Sequence, residues 1–128
     1  LNIDRAFKNL NFERQGQNVH DTLIAIPKVE QLEKDVEKTH LPTHHDHFYD
    51  VYRYDFGNEI SINTNNQCHV LMFVEGQSLQ LLIKEHELQT FHFAETFAIP
   101  AATENYTLIN KGKDKAKVIV SFIKDEAC

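Results

Sequence analysis

The stretch "HLPTHHDHFYD", His40 to Asp50, holds four of the chain's eight histidines together with two aspartates. Neutral imidazole nitrogens and ionised carboxylate oxygens are the donors that zinc, nickel and iron recruit, at bond lengths of about 2 Å. His44, His45 and His47 are therefore candidate metal ligands. The competing reading is a solvated His-rich loop in which nothing converges on an ion. Pro42 imposes an extended lead-in, which puts these histidines at the entrance of a strand and away from the middle of a barrel. If the strand already runs there, His45 and His47 share one face and His44 points the other way.

Other candidates are scattered. His69 leads the apolar run "VLMFV" and is the histidine expected to line an interior, as a hydrogen-bonded polar group. His92 alternates with Phe91 and Phe93, so it faces away from them and reads as a surface residue. Glu85-His86-Glu87 has the types for acid/base catalysis, yet it follows Lys84 between two strand-like segments, the texture of a solvated hairpin tip. Lys111, Lys113, Lys115 and Lys117 could grip a phosphate, but Gly112 and Asp114 among them describe a polar turn. No Ser-His-Asp, Cys-His or glycine-rich phosphate pattern stands out. Cys68 and Cys128 lack CxxC spacing; Cys68 reads as a small buried thiol and no disulfide is expected.

The elements that position these residues are mostly strands. Near the start, Ile3, Ala6, Phe7 and Leu10 follow helical spacing, with Asn2 or Asp4 able to cap the first turn. "RQGQN" breaks that pattern, and "VEQLEKDVEK" could be a surface helix or an extended connection. From Tyr49 onward, aromatic and β-branched residues alternate between turn signals, the period-two mark of half-buried strands. These segments are "YDVYRYDF", "EISINT", "HVLMFVEG", "LQLLIK", "ELQTFHF", "TFAIP", "NYTLIN" and "KAKVIVSFIK", with the third and fourth expected to pair across Gly76-Gln77. Many short strands at spacings of about 8–12 residues argue a sandwich or jelly roll. Residues 1–28 read as helix and lead-in, and 29–128 as the β domain.

Composition limits the functions available. A chain of 128 residues suits one domain and one core. A net charge of −6 with few clustered cations argues against a nucleic-acid or anionic membrane partner. No apolar run approaches the roughly 20 residues of a bilayer span, and no signal-peptide pattern opens the chain, so a cytoplasmic address is expected. The chain opens on Leu1, which reads as a piece of something longer.

The order "HVLMFVEGQSLQLLI … FAETFAIPAATENYTLIN … KVIVSFI" resembles the cupin family. The fold this implies is mainly β: a jelly-roll barrel of cupin type with a short N-terminal helix. Cupin metal ligands usually come from a His-x-His and a later Glu ahead of a Gly, and from a His following a Pro. Anchored on Gly76 and Pro100, those positions here hold Ile62 and Thr64 or Asn63 and Asn65, then His69, then Asn105. The barrel therefore reads as metal-free. Within the cupins, the chain is similar to the C-terminal domain of type I phosphomannose isomerases. "NIDRAFKNLNFE", Phe48 to Phe56, Val74-Glu75-Gly76 and Ile99-Pro100-Ala101 with Tyr106 carry that likeness. One departure is Ala94, where that family usually has Gly ahead of the acidic residue, here Glu95.

That resemblance implies a non-catalytic partner domain with no catalytic or cofactor-binding residue of its own. Its partner would be a catalytic cupin domain in the same polypeptide, which would hold zinc and interconvert mannose 6-phosphate and fructose 6-phosphate. A sugar phosphate is a possible ligand of the present barrel. Two alternatives remain open: a freestanding metal cupin using His44, His45 or His47 with His69 or His92, and a metal-free sugar-binding module.

Overall fold

The computed structural model describes residues 2–84 and 86–125. Asn2 opens helix α1 (Ile3–Lys8) as its N-cap, its Oδ1 accepting from the Arg5 amide at 3.0 Å. A second short helix, α2 (Gln17–Thr22), follows where the sequence suggested only a break. Gly16, at φ 58°, supplies the left-handed turn that lets the chain re-enter a helix there.

Ten strands follow among the described residues: β1 (Lys28–Leu32), β2 (Val36–Leu41), β3 (Tyr49–Phe56), β4 (Glu59–Asn63), β5 (His69–Glu75), β6 (Ser78–Ile83), β7 (His86–His92), β8 (Thr96–Ile99), β9 (Asn105–Asn110) and β10 (Ala116–Ile123). The charged stretch before Pro42 is thus a β-hairpin, and the surface-helix alternative is corrected. Its turn is closed by the Glu33 amide donating to the Val36 carbonyl at 2.8 Å. The Asp35 carboxylate then accepts from Asn58 through its amide at 2.9 Å and its Nδ2 at 3.0 Å, pinning the hairpin to the β3–β4 turn. Those long-range bonds outweigh a helical spacing of only three apolar residues.

The strands form two antiparallel sheets, ordered β1-β2-β3-β10-β5-β8 and β4-β9-β6-β7. β5 and β6 fall in different sheets, so the expected pairing across Gly76-Gln77 is replaced by a crossing from one sheet to the other. Gly76 is required at that corner: it sits at φ 128°, and a Cβ there would come within 2.7 Å of the Phe73 ring.

Register explains the core. Val118 lies opposite Tyr54 and Phe73, Val120 opposite Tyr52 and Leu71, and Ala116 opposite Phe56, so these residues share the inner face of the larger sheet. Leu79, Leu81, Ile62, Tyr106 and Leu108 answer from the smaller sheet, all buried. Burying each large apolar side chain contributes roughly 1.5–3 kcal/mol, which holds the two sheets face to face. The opposite face of the larger sheet is polar at its centre. Arg53 bonds Asp55 at 2.6 Å and Glu37 at 3.0 Å, and Lys117 bonds Glu75 at 2.6 Å, forming a charged ladder across four strands.

Candidate ligand-binding site

Packing closes one end of this sandwich and leaves the other open. At the closed end Phe56, Phe73, Leu79 and Ala116 fill the space between the sheets. At the open end the inward positions turn polar: Lys38 lies opposite Tyr54 and His40 opposite Tyr52. A cavity of about 370 Å³ opens there, with Lys38, Tyr52, Asn63, Gln67, His69 and Phe122 among the residues lining it. Tyr52 and Phe122 stack with ring centroids 5.2 Å apart and make an aromatic wall. Lys38 Nζ lies 3.8 Å from the Tyr52 ring centroid and 3.1 Å from Glu30 Oε2, so the cation is seated on the ring and against a carboxylate.

His69 forms the floor. It is 5% exposed, and its Nδ1 lies 3.0 Å from the Tyr106 hydroxyl. Burial lowers the imidazole's pKa from the usual 6.5, opposed by a backbone hydrogen bond with Thr64. Burial also raises the Tyr106 and Tyr54 phenols well above their usual range. The direction of the bond between Nδ1 and the phenol follows the tautomer of the imidazole. His69 is thus the interior, hydrogen-bonded histidine that its place in the sequence suggested. Cys68, by contrast, is exposed, correcting the expected buried thiol: once His69, Leu71 and Phe73 point inward, alternation sends residue 68 out.

A second, more open groove shares Tyr52, Phe122 and Asp125 with the cavity and is lined further by Thr43, His45, Asp50 and Lys124. His40 Nε2 bonds Asp50 Oδ2 at 2.7 Å at this junction, and Tyr52 donates to Glu30 Oε1 at 3.4 Å. Burial and the Glu30 charge raise the Tyr52 phenol, keeping it a donor. Sequence reasoning missed Glu30, Lys38 and the His40–Asp50 pair because it left β1 and β2 unassigned. Alternation outward from Tyr54 would have placed Asp50 and Tyr52 on the same face, and a strand ending before Pro42 would have brought His40 against them.

The histidine cluster is a β-turn ahead of β3, with the His47 amide donating to the His44 carbonyl at 3.0 Å. His44 Nδ1 lies 3.3 Å from Asp46 Oδ2, and His45 Nε2 lies 3.0 Å from Asp46 Oδ1. The expectation that His44 points away from His45 is corrected: a turn, unlike a strand, brings neighbours to one side. His47 instead stacks on Tyr49 at 5.4 Å. His69 and His92 are not part of this group. His92 is exposed near Glu95 on the smaller sheet, as its alternation suggested. His86 is exposed at the start of β7, while Glu85, the Glu87 side chain and Cys128 lie outside the described residues. Lys111, Lys113 and Lys115 are exposed near the β9–β10 turn, and Lys117 belongs to the outer ladder.

Solved structures share this architecture. The chain superposes on the cupin domain of Schizosaccharomyces pombe Cnp3 with a TM-score of 0.58 at 11% identity, covering 75% of this chain and 65% of that one. It matches a cupin 2 conserved barrel domain protein from Salinispora arenicola with a TM-score of 0.60 at 8% identity, covering 78% and 84%. The polyketide cyclase RemF of Streptomyces resistomycificus gives 0.58 at 14% identity, covering 75% and 72%. No family model and no curated protein matches the chain. The fold is therefore that of the cupins: two antiparallel sheets forming a jelly-roll barrel, with short helices ahead of it.

Many cupins hold a metal between their sheets, and the residues here do not fit one. Ile62 is apolar, and the buried Thr64 hydroxyl is committed to the Ala101 carbonyl at 3.1 Å. Asn105 Oδ1 accepts from Asn63 Nδ2 at 2.9 Å and Asn63 Oδ1 accepts from the Asn65 amide at 2.6 Å, so both amide oxygens already have a donor. His69 remains as a single imidazole, already bonded to Tyr106. Among the described residues, no helix is long and apolar enough to cross a membrane.

Proposed function

We propose that this cupin domain is a non-catalytic binding module that takes a sugar or sugar phosphate at the open end of its barrel. The observation that carries the reading is the chemistry of the cavity. An aromatic wall of Tyr52 and Phe122 stands beside the amides of Asn63, Asn65 and Gln67, and one lysine sits above the tyrosine face. Aromatic faces suit the C–H face of a pyranose, while amides donate and accept for its hydroxyls. Lys38, ion-paired with Glu30, and Lys124 in the adjoining groove, bonded to the His44 carbonyl, are the cations a phosphate would meet there.

A finer proposal follows the order of motifs from the N-terminal helix to Tyr106. The chain would be the C-terminal domain of a cytoplasmic, mannose-6-phosphate isomerase-like protein, packing on a catalytic cupin domain that carries the zinc. Ile3, Phe7, Leu10 and Phe12 favour it, because all are more than half exposed and offer an apolar face to such a neighbour.

Calorimetric titration of the chain with mannose 6-phosphate and with mannose tests the module. Millimolar or tighter binding is expected, weakened roughly tenfold, about 1.4 kcal/mol, by Tyr52→Ala. Turnover of mannose 6-phosphate by this chain alone would overturn the non-catalytic reading. For the finer proposal, Phe7→Glu with Leu10→Glu in the complete polypeptide is expected to lower isomerase activity or melting temperature; no effect on either would contradict it.

A further inference from the structure

Among the described residues, one group of three His, Cys, Asp or Glu side chains brings its ligand atoms within 4.8 Å of one another: His44, His45 and Asp46. We propose that this turn is a binding site for a divalent transition ion of the zinc class, separate from the barrel interior. Two imidazoles and one carboxylate are borderline-soft donors that suit zinc, cobalt or nickel, whereas magnesium and calcium prefer oxygen ligands. The turn is set before any ion arrives. The His44 carbonyl accepts from the His47 amide at 3.0 Å and from Lys124 Nζ at 2.9 Å, and the Asp46 amide donates to His44 Nδ1 at 3.3 Å.

Asp46 already draws both rings toward it, with each of its oxygens within 3.3 Å of a ring nitrogen. An ion seated among these three atoms is neutralised in part by the Asp46 carboxylate and takes the place of the weak 3.3 Å bond from the Asp46 amide to His44 Nδ1. His44 is the anchored ligand, its side chain 19% exposed, while His45 at 83% and Asp46 at 65% reach it from solvent. Because His45 also lines the groove beyond Tyr52 and Phe122, the ion sits at the edge of the proposed ligand's path. Ion binding at this turn requires no sugar in the barrel.

Titration of the full chain, made without an affinity tag, with zinc by calorimetry and with cobalt by visible absorption decides it. One ion per chain at micromolar or tighter affinity is expected, weakened roughly tenfold or more by His45→Ala and by Asp46→Asn. Both positions are largely solvent-exposed, so neither change threatens folding. His47→Ala is the control: its ring stacks on Tyr49 and meets the His44 ring edge-on at 6.0 Å, but it contributes none of the three gathered ligand atoms. Retained affinity in this variant supports the site. A loss equal to that of His45→Ala would show only generic affinity of a His-rich segment, and absence of saturable binding would likewise overturn the proposal.

Discussion

His69 shows how one buried side chain ties the site to the stability of the barrel. Its pKa is lowered in the folded protein, chiefly by burial, against a reference of 6.5 when unfolded. The unfolded chain therefore binds the proton first as pH falls, and the folded state is disfavoured. The contribution is fully present above about pH 6.5 and is lost downward from there through the lowered folded value. Urea denaturation at successive pH values is expected to show this loss, and His69→Gln to flatten it. A His69→Gln profile that falls as steeply as the parent over that window would contradict the assignment. His44, His45 and Asp46 are held differently, by a turn at the surface whose His44 carbonyl accepts from the His47 amide.

Corners between sheets, more than the strands themselves, fix the shape of the barrel. The strand cores were legible in the sequence because aromatic and β-branched residues alternate: "YDVYRYDF" is β3 residue for residue, and "NYTLIN" is β9. What alternation does not carry is the partner of each strand. Gly76-Gln77 looked like a hairpin turn, yet the chain there crosses between sheets, with Gly76 at φ 128° against the Phe73 ring. Gly76→Ala is expected to destabilise by about 1–3 kcal/mol through strain and overpacking, read as a lower denaturation midpoint.

Ala94 is the converse case, a residue with a Cβ at φ 67°. The turn holds it there because its amide donates to the Phe73 carbonyl at 2.8 Å and Glu95 Oε2 accepts from the His92 amide at 2.6 Å. Ala94→Gly relieves that strain and is expected to stabilise by about 0.5–1 kcal/mol once the added backbone entropy is counted; a lower midpoint would contradict it.

At the scale of the whole molecule, two sheets close at one end on aromatic and aliphatic side chains and open at the other on Lys38, Tyr52, Asn63 and His69. The fold class could be read from the sequence because strand spacing and turn chemistry are local properties. Half of the site could not. His69 announced itself by leading an apolar strand, but Lys38 and Glu30 sit in a charged hairpin whose identity depends on Asp35 bonding Asn58, a contact 23 residues away. The histidine run drew attention for its composition, while the ligand-sized cavity lies beside it, built from types too ordinary to stand out.

The measurement that bears most directly on this account is an amide-resolved nuclear magnetic resonance titration of the chain with mannose 6-phosphate. Shifts are expected to saturate in the millimolar range or below, to cluster on Lys38, Tyr52, Asn63, Asn65, Gln67 and His69, and to need about tenfold more ligand for saturation in Tyr52→Ala. Shifts confined to the outer face of the larger sheet, or no saturable shifts at all, would contradict it.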